Sequence, residues 1–325
     1  MKAIIVPEYG KPEVLTYMDI DIPKIKPNQV LIQVEKTSVN YADVKSRYGQ
    51  GGNGRFPFIP GLDAAGVIVE TGTEISRFQK GDRVIAFPAE GSYAEYVAAD
   101  ENLTFSIPDE VSFETAAACP TVSFLSYKML ADIARLEKGE TVLVHSAAGG
   151  VGTTAIQMAK ILGAGKVIGT VGREAKVPVA LEAGADHVVV YEKENFADLV
   201  NSLTEGKGAD IILDSLAGPI TQQSFDCLAD YGRMIQFGNS TGETGVIKTN
   251  DLHKSCRSVL GYSLGTTRKK RPETLRETAN QVMEYLKNGK LNVKIGHTFP
   301  LKEAAAAHQL IESRLSTGKI ILDIR

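Results

Sequence analysis

The chain has few cysteines and no long apolar run, and each shortage argues against a class of protein. Cys119, Cys227 and Cys256 are far apart and odd in number, which argues against a disulfide framework and against a thiolate zinc site. No run approaches the roughly 18 apolar residues of a membrane span. The apolar stretch at the N-terminus ends at Pro7 and is too short for the core of a signal peptide. We therefore expect a cytoplasmic protein.

An excess of charge of either sign is also lacking. The 36 basic and 39 acidic residues give a net charge of −3, which shows no sign of nucleic-acid or membrane-surface binding by the chain as a whole. With 43% hydrophobic and 23% charged residues, the composition is typical of globular proteins. A length of 325 residues predicts two domains. The 31 glycines are an excess that indicates tight turns or close approaches of backbone to ligand.

Signals for β structure dominate up to about residue 120. The strand candidates are residues 30–34, 66–69 and 83–87, and turn residues such as Pro60-Gly61 separate them. Short strands with little helical periodicity predict a partly closed, barrel-like β domain.

From residue 141 onward, apolar strands alternate with segments of helical length. The predicted strands are 141–144, 166–169, 187–190, 209–213 and 233–237. The predicted helices between them are 150–162, 174–183, 195–204 and 219–229. This alternation predicts a doubly wound α/β fold, with an open parallel sheet covered on both faces. The last part of the chain predicts a helix over 273–288, a strand, a helix over 301–313 and a strand over 319–324.

The first strand of the α/β half runs into a glycine-rich turn, Ala147-Ala148-Gly149-Gly150-Val151-Gly152. This is the dinucleotide pattern G-x-G-x-x-G with alanine in the first position. The first small residue permits a tight turn, the second lets the backbone approach a pyrophosphate, and the third lets the helix pack on the strand. The N-terminus of the helix then offers N–H groups to the phosphates. The pattern predicts dinucleotide binding; the alternative is a tight turn that has lost its ligand.

The second strand of the α/β half indicates which dinucleotide is bound. It ends at 169–173 without the carboxylate that NAD sites usually offer to the ribose 2′-hydroxyl. Arg173 and Lys176 follow instead, and both offer donors and positive charge to a 2′-phosphate. We therefore expect NADPH. In the alternative, both are solvated residues at a helix start, with Glu174 nearby.

With these motifs the chain resembles the medium-chain dehydrogenase/reductase superfamily, in its zinc-independent NADPH:quinone oxidoreductase (zeta-crystallin-like) branch. The resemblance covers essentially the whole chain. The matching segments are 40–43, 47–49, 81–84, 144–152, 184–187, 237–240, 312–314 and 318–319. It implies a GroES-like β-barrel-type domain over 1–122 and 266–325, and a Rossmann NADP(H)-binding domain over 123–265. The C-terminal segment is then expected to rejoin the first domain.

The resemblance also implies which residues contact the cofactor. Lys176 and Tyr191 are expected at the 2′-phosphate, Leu264 on the strand that follows segment 237–240, and Asn40 and Tyr41 at the nicotinamide. The expected cofactor set is Asn40, Ala148, Gly149, Gly150, Val151, Gly152, Arg173, Lys176, Tyr191, Phe237, Gly238, Asn239, Ser240, Leu264 and Lys319.

Two positions of this set leave alternatives open. Lys319 resembles a basic residue that approaches the pyrophosphate, or else it is a solvated lysine on an edge strand. The family threonine that bonds the cofactor is Leu125 here, so that contact is lost or is supplied by Thr121 or Ser126.

Zinc-dependent members of the superfamily hold their metal at positions that are Asn40, Leu62 and Thr121 in this chain, and none of the three is a good zinc ligand. The hydroxyl that relays protons in those enzymes is Ala42, and the four-cysteine lobe is missing. The five histidines show no ligand spacing, and we expect each at the surface or at a strand end. Without a Lewis acid to stabilise an alkoxide, alcohol oxidation is disfavoured.

The expected reaction is therefore NADPH-dependent reduction of a quinone or an α,β-unsaturated carbonyl compound by a homodimer. Such acceptors take hydride without a metal, so the enzyme mainly positions the reactants and excludes water. Tyr41, Lys45 and Tyr48 are the candidate proton donors, on or near one loop, although each is equally a packing or solvated residue.

Two other functions stay open. One is an enoyl-thioester reductase that acts on acyl-CoA or acyl carrier protein. The other is a non-catalytic NADPH- or RNA-binding protein, since relatives have been recruited to such roles. The basic cluster Thr267-Arg268-Lys269-Lys270-Arg271, which we expect on a loop, is the feature that would touch RNA phosphate. The net negative charge of the chain disfavours that role.

Overall fold

The computed structural model describes residues 1–50, 55–193 and 195–325, and the chain divides into two compact units. The mixed-sheet unit comprises Met1–Thr121, Thr266–Gly289 and Val293–Arg325. The parallel-sheet unit comprises Val122–Gly265 and Lys290–Asn292. Among the described helices, none has both the length and the apolar character needed to cross a membrane.

The strands, in chain order, are β1 (Lys2–Ile5), β2 (Thr16–Asp19), β3 (Gln29–Val39), β4 (Asp63–Thr71), β5 (Arg83–Ala86), β6 (Tyr96–Asp100), β7 (Thr104–Ser106), β8 (Thr141–Val144), β9 (Lys166–Val171), β10 (His187–Val190), β11 (Ala209–Asp214), β12 (Leu228–Gln236), β13 (Ser258–Gly261), β14 (Ile295–Pro300) and β15 (Lys319–Asp323). The helices are α1 (Tyr41–Arg47), α2 (Phe113–Ala118), α3 (Pro120–Tyr127), α4 (Gly150–Ile161), α5 (Val177–Glu182), α6 (Phe196–Leu203), α7 (Pro219–Phe225), α8 (Thr249–Lys254), α9 (Leu264–Lys270), α10 (Leu275–Lys287) and α11 (Ala304–Glu312).

The mixed-sheet unit is built on a seven-stranded sheet in the order β14-β15-β3-β4-β5-β7, with β6 also paired to β3. Strands β14 and β15 are parallel, and every other pair in this sheet is antiparallel. Strands β3 and β4 are longer than predicted because two register shifts between them bend the ladder, which lets β3 pair with β6 at one end and β15 at the other. Val30, Ile32 and Val34 alternate inward from β3 into a buried core.

The parallel-sheet unit is a six-stranded sheet in the order β10-β9-β8-β11-β12-β13, and all of its pairs are parallel. The predicted doubly wound α/β fold is confirmed, and β13 is a sixth strand beyond the five that the residue pattern predicted. The chain starts in the middle of the sheet at β8 and extends to both sides, so the strand order reverses between β8 and β11. Ligands of such folds bind at the carboxyl ends of the strands beside this reversal.

One predicted helix was too long. The helix expected over 219–229 ends at Phe225, and β12 begins at Leu228, because Leu228 pairs with Ala209 of β11. The predicted helix 174–183 is also divided, into a 3₁₀ turn over Glu174–Lys176 and α5. Pro178 lies in the first turn of α5, where a missing N–H costs no helical bond.

Candidate functional site

The glycine loop, residues 146–150, lies at the carboxyl end of β8. It begins at Ser146, whose φ is +54°, and closes with a bond of 3.0 Å from the Gly149 N–H to the Ser146 carbonyl. Gly149 is then the N-cap of α4. The N–H groups in the first turn of α4 have no carbonyl partner within the helix, so they are available to an anion.

Gly152 allows α4 to lie against this loop. A Cβ atom at this position would collide with the Ser146 carbonyl oxygen and lie 2.7 Å from the backbone of Ala147. Real Cβ atoms essentially never come so close. The third small residue of the motif therefore has the packing role that the sequence predicted.

Segment 237–240 lies beside the glycine loop, at the carboxyl ends of β11 and β12. The Phe237 N–H donates to Asp214 and the Ser240 N–H to Ser215, both at 3.1 Å. The Ser215 hydroxyl in turn lies 3.3 Å from that of Ser146. The structure thus brings together two of the segments that were predicted to contact one dinucleotide, at the edge where doubly wound folds bind their ligands.

Leu264, a further predicted contact, was assigned to the wrong kind of element. It is not on a strand: β13 ends at Gly261, and Leu264 is the buried first residue of α9.

The predicted 2′-phosphate residues follow β9 and β10. Arg173 is exposed, and the hydroxyl of Tyr191 lies 2.9 Å from the point where a Cβ on Gly172 would stand. Glu174, the residue that favoured a solvated interpretation, forms an ion pair of 2.6 Å with Lys193. This local carboxylate is therefore committed to another cation, while Arg173 forms no ion pair within the described residues.

In the mixed-sheet unit a set of polar side chains surrounds the buried Asp63 carboxylate, and we call it the Asp63 cluster: Ser38, Asn40, Asp63, Thr121 and Lys319. One carboxylate oxygen accepts from the Thr121 N–H at 3.0 Å and from its hydroxyl at 2.6 Å. The other accepts from the Ser38 hydroxyl and the Asn40 amide, each at 2.8 Å. The Lys319 ammonium lies 3.6 Å from the same oxygen. Every oxygen lone pair of Asp63 thus has a neighbouring donor.

Lys319 completes this cluster from β15. Ile320 pairs with Val39, so Lys319 stands beside Asn40 at the end of β3. Its ammonium donates to the Asn40 side-chain oxygen at 2.7 Å and to the Val39 carbonyl at 3.2 Å. The alternative of a solvated edge-strand lysine is wrong, because Lys319 is 3% exposed and β15 lies between β14 and β3. Burial lowers the pKa of Lys319, and the Asp63 carboxylate opposes that effect. A contact of Lys319 with the pyrophosphate stays a prediction.

The three candidate proton donors lie on a helix and not on a loop. Tyr41, Lys45 and Tyr48 follow the i, i+4, i+7 spacing, so they share one face of α1 and its C-cap. Tyr41 and Tyr48 are 41% and 44% exposed, and the Lys45 ammonium lies 5.6 Å from the Tyr41 ring centroid. Burial lowers the pKa of Lys45, whereas burial and a hydrogen bond to Glu312 raise the pKa of Tyr48. These shifts make proton release easier from Lys45 and harder from Tyr48.

The opposite face of α1 carries a buried chain of polar groups that sequence reasoning missed: Asp43, Arg47, Tyr93, His308 and Glu312. Arg47 donates to His308 at 3.2 Å and to Glu312 at 2.7 Å. His308 lies 3.2 Å from the Tyr93 hydroxyl, which donates to Asp43 at 3.1 Å. Burial raises the pKa of Asp43 to about 7. This chain fixes the rotation of α1, and with it the face that bears the candidate donors.

Two histidines are deeply buried, and one of them, His308, is neither at the surface nor at a strand end as expected. His308, in the middle of α11, is wholly buried, and burial with the nearby Arg47 charge lowers its pKa to about 3. His145 follows β8 but is only 2% exposed, between the hydroxyls of Thr170 and Ser224 at 2.9 Å each. Burial lowers its pKa to about 4. Both imidazoles are neutral structural groups at physiological pH.

Of the two candidates to replace the threonine contact that Leu125 lacks, Thr121 is committed to Asp63, and Ser126 stays a prediction. Leu125 is 8% exposed, and Thr121 gives both its N–H and its hydroxyl to Asp63. The Ser126 hydroxyl is buried without a partner in the described part of the chain. Elsewhere in that part, no group of three His, Cys, Asp or Glu side chains is placed to hold a metal ion.

Comparisons with known proteins match both halves of the chain. The model of the alcohol dehydrogenase GroES-like domain matches residues 26–109, and the model described as zinc-binding dehydrogenase matches residues 150–283. The quinone oxidoreductase of Sus scrofa is 36% identical over 99% of this chain and 97% of its own length. That of Pseudomonas aeruginosa is 35% identical over 97% of each. The solved structure of the Escherichia coli quinone oxidoreductase complexed with NADPH has a TM-score of 0.93 at 31% identity, over 99% of this chain and 100% of that one.

Proposed function

The chain belongs to the quinone oxidoreductases, a zinc-independent family of medium-chain dehydrogenases/reductases, and on that premise we propose that it reduces a quinone or an α,β-unsaturated carbonyl compound with NADPH. One observation carries the proposal. The glycine loop and segment 237–240 lie side by side at the carboxyl edge of the parallel sheet, in a chain whose relative from Escherichia coli binds NADPH.

The residues at this edge fit NADPH. The first turn of α4 would hold the pyrophosphate through its N–H groups and the positive end of the helix dipole. Arg173 would hold the 2′-phosphate with a planar pair of donors, and Lys176 would add a second charge. The Tyr191 hydroxyl, placed at Gly172, is a third donor for the same group.

When bound, NADPH supplies a hydride, whose addition to a quinone or an enone leaves an oxyanion delocalised over the acceptor. The residues of the chain position the acceptor and exclude water. Asn40 is prepared for such a role because its amide is held from both sides, by Asp63 through its nitrogen and by Lys319 through its oxygen. A held amide loses little conformational entropy when it contacts a ligand.

We propose Lys45 as the proton donor to the reduced acceptor, ahead of Tyr41 and Tyr48. Burial lowers the pKa of Lys45 and so favours release of its proton, whereas burial and Glu312 raise the pKa of Tyr48. Lys45→Met should therefore lower turnover more than Tyr41→Phe or Tyr48→Phe, and should remove the alkaline limb of the pH–rate profile. If the three variants have the same pH–rate profile, the proton donor is a different residue.

The experiment that tests the function measures oxidation of NADPH and of NADH with 9,10-phenanthrenequinone, 1,4-benzoquinone and a small enone. NADPH should be preferred, and Arg173→Gln should reduce that preference about tenfold or more, as expected for a charge-assisted hydrogen bond. Lys207→Gln removes one exposed charge from the same unit and is the matched control. Absence of turnover with every acceptor would refute the activity, and an NADH preference in the wild type would refute the cofactor assignment.

We also propose that the protein is a cytoplasmic homodimer. All three cysteines are free, and Cys256 is exposed, a state that persists in a reducing compartment. The dimer rests on the family resemblance. Light scattering coupled to size-exclusion chromatography should give twice the chain mass of 35.0 kDa, and a monomer at micromolar concentration would contradict it.

A further inference from the structure

The basic cluster over 267–271 is not a loop. Residues 264–270 form α9, and the four charges of the cluster differ sharply in environment. Lys269, Lys270 and Arg271 are exposed, as solvated charges usually are. Arg268 instead turns inward, and its guanidinium lies 4.8 Å from the ring centroid of Phe87. Arg268 is therefore in a different environment from the other three charges of the cluster.

Phe87 puts Arg268 next to the Asp63 cluster. Ala64 pairs with Ala86 in the antiparallel ladder of β4 and β5, so Phe87 follows β5 at the position level with Asp63. Phe87 is 1% exposed, and its ring is a rigid surface on which the Arg268 guanidinium packs. The strand ends that carry Lys319, Asn40, Asp63 and Phe87 therefore adjoin one another in the sheet order β15-β3-β4-β5.

The guanidinium of Arg268 has no partner in the described part of the chain beyond the Phe87 ring. It forms no ion pair or hydrogen bond there. The two nearest acids are already used: Asp63 accepts from Thr121, Ser38 and Asn40, and Asp43 accepts from Tyr93 and the Asn40 N–H. Burial lowers the pKa of Arg268, while Asp63 and Asp43 oppose this through space. Its five N–H donors are therefore partly desolvated and uncommitted.

Charge counting points the same way. Within the Asp63 cluster the charges of Lys319 and Asp63 cancel, and Asp43 is partly protonated near neutral pH because burial raises its pKa to about 7. Arg268 then adds a positive charge that the Asp63 cluster does not balance. A partly buried cation of this kind stabilises negative charge on a ligand more strongly than one in water.

From this geometry we propose that Arg268 is a catalytic residue that binds the acceptor oxygen and stabilises the oxyanion formed when hydride arrives, an inference that rests on the proposed function. The hydride brings two electrons to the acceptor, one carbonyl π bond becomes a C–O⁻ single bond or its conjugated equivalent, and a proton then neutralises the oxygen. Guanidinium N–H donors match a carbonyl oxygen before and after that change. The acceptor class is a planar aromatic or conjugated carbonyl compound, in which the charge of the oxyanion is delocalised.

The test compares Arg268→Gln and Arg268→Lys with Lys269→Gln, which removes an exposed charge from the next position of α9. Loss of one oxyanion donor should lower kcat/KM for 9,10-phenanthrenequinone about 100-fold in Arg268→Gln. Arg268→Lys should lie between it and the wild type, because it keeps the charge but loses the planar fork. Lys269→Gln should match the wild type, and NADPH affinity should be unchanged in all three. Thermal unfolding shows whether each variant is folded.

A second readout does not need turnover. 4-Nitrophenol is titrated in the presence of each variant, and its phenolate absorbance gives the pKa of the bound phenol. An opposite charge nearby favours the anion, so the wild type should lower this pKa by about one unit or more, and Arg268→Gln should not. If the wild type reduces no quinone or enone, the proposed function fails, and a lowered phenol pKa would still support oxyanion binding. If the wild type is active and Arg268→Gln equals it in both assays, or loses NADPH affinity in proportion to turnover, the inference is overturned.

Discussion

The two units hold their functional groups in opposite ways. In the parallel-sheet unit the glycine loop offers backbone N–H groups and the space left by missing side chains, and Gly152 is required because any Cβ there would meet Ser146. In the mixed-sheet unit the Asp63 cluster offers charged side chains, each buried and held by others. A site made of backbone groups tolerates substitutions that change charge but not substitutions that add side-chain volume. A buried charged cluster tolerates a change of side-chain size only while its positive and negative charges stay balanced.

The same difference separates the proposed roles of the two units. A pyrophosphate is bound by many backbone dipoles, which carry no net charge and cannot titrate. A reacting acceptor needs a cation, an oriented amide and an acid, and only side chains supply these. Substitutions in both units test this division of roles.

The largest effect is expected at Asp63. Asp63→Ala leaves Lys319 buried without its carboxylate, and such a half-broken buried pair typically costs about 3–5 kcal/mol of unfolding free energy. Urea denaturation measures it. The double variant Asp63→Leu with Lys319→Met removes both charges and should recover much of the loss. If the double variant is as unstable as the single one, charge balance is not what holds this cluster.

A smaller loss of stability is expected at Gly152. Gly152→Ala forces a Cβ into the Ser146 carbonyl, and overpacking of this kind costs about 1–3 kcal/mol. NADPH binding, measured by fluorescence titration, should fall with it because the glycine loop must shift. Gly261→Ala is the control, since nothing lies within 4 Å of its would-be Cβ. Normal NADPH binding by Gly152→Ala would contradict the close approach of α4.

A pH-dependent effect is expected at Asp43. Its carboxyl has a pKa of about 7 in the folded protein and about 3.9 in the unfolded chain, so the folded state binds more protons between these values. The wild type therefore loses stability from this group as the pH rises through that window. Asparagine stays neutral, so the melting temperature of Asp43→Asn relative to the wild type should rise by a few degrees from about pH 5 to about pH 8.

His145 and His308 act in the opposite direction in the same window. Their pKa values are lowered to about 4 and about 3, so the stability they contribute is present above their ordinary pKa and is lost as the pH falls. Both histidines are present in the wild type and in Asp43→Asn. Their contribution therefore cancels when the melting temperatures of the two proteins are compared at each pH. If the melting temperature of Asp43→Asn relative to the wild type stays constant or falls as the pH rises, Asp43 is ionised in the folded protein.

The smallest effect is expected at Glu174. Glu174→Gln removes an exposed negative charge that is paired with Lys193, so the melting temperature should not change. NADPH affinity should rise slightly at low salt, since one repulsion of the 2′-phosphate is gone, and the gain should vanish at high salt. A fall in affinity would place Glu174, and not Arg173, among the cofactor contacts.

Helix α1 shows where sequence reasoning stopped. Tyr41, Lys45 and Tyr48 were assigned to a loop because the surrounding pattern was one of strands. Asn40 followed by Asp43 was the available signal, since the Asp43 carboxylate accepts the Asn40 N–H at 2.8 Å and starts the helix. The same oversight hid the buried face of α1, and with it Arg47 and its partners. Strand β13 was expected only through the family resemblance, because none of its four residues at the edge of the sheet is fully buried.

Three features could be derived from the amino-acid sequence alone: the alternation of strands and helices, the glycine loop, and the lack of a carboxylate over residues 169–173. These features are local: each depends on residues within a few positions of one another, whose spacing sets the turn, the helix start and the packing distance. Only the tertiary structure decided that Asp63 would gather Asn40, Thr121 and Lys319, and that Arg268 alone of its cluster would turn inward over Phe87. Those partners come from distant strands and helices, and no periodicity of the chain records which strand ends the sheet brings side by side.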